Sequence, residues 1–210
     1  MDKNKHEDIY KTTPLKDIPW NKETPPEALV ELIETGAIKP CKAIDMGCGA
    51  GNYAVYIAEQ GFEVTGVDQS VYAINIAREN AAEKGVNVRF IAADITGNFN
   101  EINETFDFVY DWGVLHHIFP GDRKNYVKNV NRILNAGGKY LSVCFSVEDD
   151  FFEGKGKYRT TKRGNSLYFS TEEEMKELFE PHFHINELKT IEIFGKSVSH
   201  QAVYVFMEKG

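Results

Sequence analysis

Cysteine and long apolar runs are both scarce in this sequence, and each scarcity excludes a class of protein. The 210 residues include three cysteines, an odd number that forms no C-x-x-C pair. A disulfide framework and a metal site are therefore not expected, and a reducing, cytoplasmic compartment fits best. No apolar run reaches the roughly 18 residues that span a bilayer. The polar start MDKNKHED lacks the apolar centre of a signal peptide, so we expect no membrane partner.

Positive charge is also in short supply. The 24 Lys and Arg residues are outnumbered by 32 Asp and Glu residues, which leaves a net charge of −8. Phosphates repel such a chain, so duplex nucleic acid is not expected as its main partner. The remaining composition, 42% hydrophobic and 27% charged, is that of an ordinary globular protein long enough to bury a full core.

Strand and helix patterns alternate through the middle of the chain. Short apolar stretches predict five strands over KAIDMG, FEVTGVD, NVRFIAAD, FDFVYDWGV and KYLSVCFS. Most are separated by helical patterns, and this alternation is typical of an α/β protein with a parallel sheet and helices on both faces. Two closing strands, FHINELKTIEI and HQAVYVFME, are near enough in sequence to pair antiparallel.

The chain divides into a short leader and one domain. Residues 1–22 form the leader, which is expected to be frayed over residues 1–8 and is a candidate lid over the ligand crevice. Residues 23–210 form the single domain. Within it, residues 147–169 are predicted to be a polar loop insertion near the crevice, and loops of that length are usually functional or disordered.

Capping residues predict where two helices begin. In TPPEALVELIETG, Thr24 is the expected N-cap and Glu27 completes a capping box. Near the C-terminus, Ser170 and Glu173 are expected to cap the last helix in the same way.

The stretch AIDMGCGAGNYA carries three glycines at alternate positions directly after a strand. A dinucleotide fingerprint has the spacing G-x-G-x-x-G, but its third glycine position is held here by Asn52, and Gly51 comes one residue early. The carboxylate of Asp45 at the strand end would repel a pyrophosphate. The pattern therefore favours a nucleotide-like ligand without phosphates.

Two further acids end the next two strands. Asp68 lies about 20 residues beyond the glycine turn, where a carboxylate accepts both ribose hydroxyls. Asp94 ends the third strand and can accept from an adenine amino group, with the backbone N–H of Ile95 facing the ring. Three strand-end carboxylates around one crevice suit a cationic nucleoside.

The segments AIDMGCGAG, VTGVDQS, IAADI and DWGVLHHI resemble the class I S-adenosylmethionine-dependent methyltransferases over about Ala43 to Phe145. The resemblance implies a doubly wound, seven-strand, mostly parallel sheet of the Rossmann-like kind, with an antiparallel last strand. It also implies methyl transfer that leaves S-adenosylhomocysteine. The leader IPWNKETPPEALVELIE is similar to that of small-molecule members of the thiopurine and tellurite type. That subgroup often has an acid after the tryptophan, where this chain has Asn21.

Carried over residue by residue, the resemblance implies a cofactor site. Its expected members are Trp20, Asp45, Gly47, Cys48, Gly49, Asn52, Asp68, Gln69, Asp94, Ile95 and Asp111. Several have an alternative that stays open. Asp111 contacts the methionine moiety or caps a turn, and Asp94 contacts the adenine or holds a turn. Trp20, together with Tyr10, closes over the cofactor or staples the first helix to the core.

A histidine pair follows the fourth strand, in GVLHHIFPGD. In the resembling family this segment brings the methyl acceptor to the donor. His116 and His117 are therefore the catalytic candidates, because free imidazole titrates near pH 7. A base is required only if the acceptor must lose a proton, and the alternative is that one histidine shapes the loop.

The polar insertion contains a cluster of five basic residues, which are Lys155, Lys157, Arg159, Lys162 and Arg163. Two interpretations remain open. The cluster steers an anionic substrate into the crevice, or it is the solvated surface of a lid.

Three functions remain in competition at this stage. The first is a methyltransferase with a small-molecule acceptor, the second a nicotinamide-dependent oxidoreductase, and the third a cofactor-binding protein without transfer activity. The oxidoreductase is disfavoured by Asp45 and by the missing third fingerprint glycine. Neither the acceptor atom nor the oligomeric state can be inferred from the residues.

Overall fold

A computed structural model describes residues 3–152, 154, 156–161 and 164–210, with no side-chain detail for residues 3–5. Lys155, Lys162 and Arg163 of the basic cluster lie outside the described residues. The described strands are β1 Lys42–Met46, β2 Glu63–Asp68, β3 Val88–Ala92, β4 Phe106–Trp112, β5 Leu134–Phe145, β6 Tyr158–Thr160, β7 Ser166–Tyr168, β8 His184–Phe194 and β9 Ser199–Glu208.

Seven of these strands form one sheet in the order β3-β2-β1-β4-β5-β9-β8. The strands from β1 to β5 pair in parallel, whereas β9 is antiparallel to both β5 and β8. The predicted doubly wound, mostly parallel sheet with an antiparallel last strand is confirmed. Strand order reverses between β1 and β4, and in such sheets ligands bind at this switch point, beyond the carboxyl ends of the strands.

Helices cover both faces of the sheet, as predicted. They are α1 Lys3–Thr12, α2 Glu27–Glu34, α3 Asn52–Glu59, α4 Val71–Lys84, α5 Pro120–Ile133 and α6 Glu172–Phe179. Apolar residues of α2, α3 and α4 pack on one face, and those of α5 and α6 pack on the other. Across the residues that the structure describes, every helix falls short of the length and apolarity that a membrane crossing requires.

The leader is more ordered in the structure than the sequence predicted. Residues 3–12 form α1, and Ile18 is fully buried in a small cluster beside α4. The side chain of Glu7 accepts hydrogen bonds from the Ser70 hydroxyl and the Tyr72 backbone N–H at the start of α4. The expectation of fraying over residues 1–8 is therefore wrong for the described residues, because long-range contacts hold the helix.

Both predicted helix caps are displaced. Helix α2 begins after Pro26, which has no side-chain cap, so the Thr24 capping box is wrong. Helix α6 is capped by Thr171 with Glu174, one residue later than expected. Ser170 is unavailable as a cap because its hydroxyl accepts from Arg123 at 2.8 Å and its backbone N–H donates to Phe145.

The described part of the insertion over residues 147–169 contains regular structure. Strands β6 and β7 pair as a small antiparallel hairpin within it. Leu167 and Phe169 are buried, and the guanidinium of Arg159 donates to the backbone carbonyls of Val147 and Asp149. A buried arginine thus ties the described part of the hairpin to the end of β5.

Candidate cofactor and acceptor site

The glycine turn after β1 has a backbone that only glycine tolerates. Gly47 and Gly49 have φ angles of +79° and +53°, in the left-handed region. A Cβ atom on Gly47 would lie 2.5 Å from Val114 Cγ2, and one on Gly49 would lie 2.6 Å from the Tyr10 hydroxyl. The turn is anchored to β2 because the N–H groups of Gly47 and Cys48 both donate to the Val67 carbonyl.

Asp45 is the most unusual group at this turn. Its side chain is 3% exposed, and among the described residues neither its Oδ2 nor the nearby Tyr110 hydroxyl has a hydrogen-bond partner. Burial raises the pKa of Asp45 to about 8, and the charges of Asp68 and Asp111 add to the rise; the nearby Tyr110 hydroxyl opposes it, although it is not placed for a full hydrogen bond. Asp45 is therefore a buried carboxyl that a cationic hydrogen-bond donor would stabilise in its ionised form.

Asp68 at the end of β2 is held in place by the glycine turn. Its Oδ2 accepts from the Gly49 N–H at 2.9 Å, and its Oδ1 accepts from the Ser70 N–H at 2.8 Å. Burial raises the pKa of Asp68, and these backbone hydrogen bonds oppose the rise. Each oxygen keeps a lone pair, which fits a carboxylate that accepts two ribose hydroxyls. Gln69 follows it and is half-buried.

The turn after β3 has a structural role of its own. Asp94 Oδ1 accepts from both the backbone N–H and the hydroxyl of Thr96, at 2.9 and 2.7 Å. The Ile95 side chain packs against the core, and its carbonyl accepts from Asn129. Asp94 therefore holds a turn, one of its two expected roles, and its contact with an adenine stays a prediction.

Two predicted cofactor ligands are engaged elsewhere. The Asp111 carboxylate is fully buried and accepts from the hydroxyls of Tyr126, Tyr140 and Ser142, so its predicted cofactor contact is not supported. The Asn52 side chain donates to Asn21 Oδ1 at 2.9 Å and to the Lys22 carbonyl. It ties α3 to the leader, and its contact with the cofactor stays a prediction.

The leader covers the glycine turn. Tyr10 is buried with its hydroxyl against Gly49, and it accepts a hydrogen bond from Trp20 Nε1 at 3.0 Å. Burial, and the charge of Asp68, raise the pKa of Tyr10 above its ordinary range, so the phenol stays neutral. This pair packs α1 against the glycine turn and the start of α4, and the closure of Trp20 over the cofactor stays a prediction.

The histidine pair lies between the leader and β5. His116 Nδ1 accepts from the Phe145 N–H at 3.4 Å, and its ring stacks on Phe145 at a centroid distance of 4.1 Å. Burial lowers the pKa of His116 well below its usual value. It lowers that of His117 to about 3, helped by the neighbouring His6. Both imidazoles are therefore neutral at pH 7, and neither titrates near pH 7 as expected of a catalytic base.

The tautomer of His116 follows from its contacts. A neutral ring that accepts at Nδ1 carries its proton on Nε2 and can only donate there. His116 therefore shapes the loop after β4 in this arrangement, and a direct catalytic role for His117 stays a prediction.

Sequence reasoning missed a second group of polar side chains at the ends of β5 and β9. Asp149 and His200 lie 51 residues apart in the chain, yet Asp149 Oδ2 is 3.0 Å from His200 Nδ1. Phenylalanines from β5 and the insertion surround the histidine ring. No local sequence motif predicts this pair, because its two residues come together only through the antiparallel pairing of β9 with β5.

The predicted basic cluster is dispersed among its described members. Arg159 is buried and acts as the clamp described above, so it is not part of a solvated lid surface. A role of the cluster in steering an anionic substrate stays a prediction. Lys157 is 42% exposed and pairs with Glu174 at 2.9 Å.

Comparisons with known proteins agree with this geometry. Residues 43–138 match the family described as a methyltransferase domain. The 2-heptyl-1-hydroxyquinolin-4(1H)-one methyltransferase of Mycobacteroides abscessus is 33% identical over 128 residues, covering 60% of this chain and 56% of that protein. The probable S-adenosyl-L-methionine-dependent methyltransferase TehB of Haemophilus influenzae is 30% identical over 113 residues, covering 54% and 39%. The matched part thus spans about half, or less, of these curated relatives.

A solved structure shows the same fold over almost the whole chain. It is the 1,6-didemethyltoxoflavin-N1-methyltransferase of Burkholderia thailandensis, with 1,6-didemethyltoxoflavin and S-adenosylhomocysteine bound. The TM-score is 0.76 at 22% identity, and the alignment covers 99% of this chain and 86% of that one. Residues 43–138, which include the glycine turn and the strand-end acids, therefore match a methyltransferase domain, and the solved structure shows that the chain has the same fold.

Proposed function

We propose that this chain transfers a methyl group from S-adenosylmethionine to a small-molecule acceptor, in a reducing cytoplasmic compartment. The observation that carries the proposal is the buried Asp45 carboxyl, whose Oδ2 has no partner among the described residues. The donor set fits the cofactor, because an ammonium group both hydrogen-bonds to and neutralises such a carboxylate. Cys41, Cys48 and Cys144 are free thiols, which supports the compartment.

Each residue of the crevice has a distinct task in this proposal. Asp45 binds the ammonium beside the Gly47 turn, and Asp68 accepts the ribose hydroxyls. Tyr10 and Trp20 exclude water from the crevice and fix its shape, so the leader acts as the cover. When bound, S-adenosylmethionine supplies a methyl group already activated on a sulfonium, so these residues contribute chiefly proximity and a dry, aligned site.

The acceptor is proposed to be small and to enter beside His117. The acceptors named for the relatives, a hydroxyquinolone and a toxoflavin precursor, support a compact ring compound. If the acceptor must lose a proton, His117 is a weak base because burial lowers its pKa to about 3. The site is therefore suited to an acceptor that needs little help with deprotonation.

Calorimetric titration with S-adenosylmethionine, S-adenosylhomocysteine and NAD tests the proposal. We expect the first two to bind at least about tenfold more tightly than NAD, because their ammonium group gives the buried Asp45 carboxyl a partner that NAD lacks. Equal or tighter binding of NAD would overturn the proposal. Turnover is then measured as S-adenosylhomocysteine formed with a panel of ring acceptors.

A further inference from the structure

Asp149 and His200 form a polar pair in apolar surroundings that the proposed cofactor site does not use. Both stand at the carboxyl end of β5, because Phe145 pairs with Ala202 on β9 and Ser146 N–H donates to Gln201. The Asp149 side chain is 1% exposed and that of His200 is 11% exposed. A polar pair this deeply buried requires an explanation, and its position at the edge of the sheet where ligands bind indicates a functional one.

The contacts of Asp149 fix the orientation of the imidazole. Asp149 Oδ1 accepts from the Phe151 N–H at 3.0 Å, and Oδ2 accepts from the Gln201 N–H at 2.9 Å. The carboxylate is thus immobilised by two backbone donors before it meets His200. Since a carboxylate only accepts, His200 donates from Nδ1, and the tautomer with its proton at Nδ1 has a lone pair at Nε2.

The surroundings of His200 are aromatic. Its ring stacks on Phe152 at 5.3 Å and lies 4.9 Å from Phe145, whose other neighbour is His116. Phe151, which is 48% exposed, meets His200 edge-on at 5.0 Å. Flat rings stack on such side chains through their faces. A flat ring that displaces Phe151 would therefore reach both the aromatic surface and the imidazole.

A residue without a side chain lies against the outer edge of the imidazole. A Cβ atom on Gly195, in the turn between β8 and β9, would lie 3.3 Å from His200 Nε2. The leader reaches the same turn, because Lys196 Nζ donates to the Leu15 and Lys16 carbonyls. The pair thus lies on the side of the sheet that the leader covers, next to the histidine loop after β4.

We propose that His200, oriented by Asp149, anchors the methyl acceptor, and that the acceptor is a flat, uncharged aromatic compound with an O–H or N–H donor. This rests on the proposed function, since it assigns the acceptor class of the same site. The donor bonds to His200 Nε2 while the ring stacks among the phenylalanines. An anionic acceptor is disfavoured because the Asp149 carboxylate lies directly behind the imidazole.

Three matched probes test this in protein saturated with S-adenosylhomocysteine. They are 4-hydroxyquinoline, 4-methoxyquinoline without the donor, and 4-hydroxyquinoline-2-carboxylate with a negative charge. We expect 4-hydroxyquinoline to bind about tenfold more tightly than either of the others by calorimetry, as one hydrogen bond to a buried group accounts for such a factor.

The variant His200→Phe keeps a ring in place but removes both nitrogens. We expect it to abolish the preference for 4-hydroxyquinoline over 4-methoxyquinoline and to leave S-adenosylhomocysteine affinity unchanged. His184→Phe, at an exposed histidine on β8, is the matched control and should keep the preference. His200→Leu, which also removes both nitrogens, serves the same comparison if His200→Phe fails to fold.

The outcomes separate the two proposals. If the wild-type protein does not bind S-adenosylhomocysteine, the proposed function fails. If it binds S-adenosylhomocysteine but not 4-hydroxyquinoline, or if the preference persists without the His200 nitrogens, the assignment of the acceptor anchor is overturned.

Discussion

At the end of β1, Asp45 is buried with one oxygen that has no partner among the described residues, whereas at the end of β5 the equally buried Asp149 uses both oxygens. The first carboxyl faces a turn of left-handed glycines, and the second faces a histidine among phenylalanines. An incompletely bonded carboxyl indicates a ligand that completes it. A fully bonded one indicates a neighbour that it orients.

The two regions are also assembled from the chain in different ways. The cofactor half, formed by Asp45, the glycine turn and Asp68, uses groups at the ends of single strands. Its two acids lie about 20 residues apart in the chain. The acceptor half, formed by Asp149, His200 and the phenylalanines around them, uses groups that are brought together by the pairing of β9 with β5 and by the hydrogen bonds of Arg159. We therefore expect substitutions in the first half to act on cofactor binding, and those in the second to act on the acceptor.

The largest effect is expected on the pH dependence of stability. Because the folded pKa of Asp45 is raised to about 8 from 3.8, the folded protein binds this proton more tightly than the unfolded chain. The free energy of unfolding should fall as pH rises from about 4 to about 8, by about 5 kcal/mol. Asp45→Asn should remove this fall, and a denaturant series at several pH values measures it.

Other buried groups provide the control for that experiment. His116 and His117 have lowered pKa values, so their contribution is lost in the opposite direction, as pH falls below about 6.5. The difference between wild type and Asp45→Asn isolates the carboxyl. Identical profiles for the two proteins would mean that Asp45 is ionised in the ligand-free protein.

Removal of Asp68 should give the next largest effect. Asp68→Ala takes away a ribose partner and leaves buried hydroxyls unpaired, which weakens S-adenosylmethionine by roughly 10- to 100-fold. Glu63→Ala, at the exposed start of the same strand, is the matched control and should bind normally. Unchanged affinity in Asp68→Ala, measured by calorimetry, would remove Asp68 from the cofactor site.

A smaller effect is expected at His117, which lies between the two halves. His117→Ala should lower kcat about tenfold at saturating cofactor while the cofactor dissociation constant changes less than about twofold. If cofactor affinity collapses instead and turnover at saturation is retained, the histidine loop supports the cofactor half and not the transfer step.

The smallest change is expected in the hairpin of the insertion. Since Arg159 is buried and Leu167 and Phe169 are packed, the described hairpin amides should be protected from hydrogen exchange before any ligand binds, and should gain little on binding. Rapid exchange that slows only with both ligands present would make residues 147–169 a mobile lid, which is one of the interpretations that their sequence left open.

The cofactor half could be predicted from the sequence because the patterns that indicate it are local. Strand ends, glycine spacing and the acids Asp45 and Asp68 all stand within short segments whose period and turn chemistry are recognisable. The caps at Thr24 and Ser170 failed because a proline and a long-range arginine contact decided those positions. The hydrogen-bond partners of Asp111 and Asn52 could not be predicted from the sequence either, because these hydrogen bonds join separate elements.

Proton release on cofactor binding tests the role of Asp45 most directly. At pH 7 a carboxyl with a pKa of about 8 is mostly protonated, and an arriving ammonium favours its ionised form. Calorimetry of S-adenosylmethionine binding in two buffers of different ionisation enthalpy counts the protons exchanged. We predict that wild type releases roughly 0.9 proton more than Asp45→Asn. Equal proton counts in the two proteins would contradict the assignment of Asp45 as the partner of the ammonium.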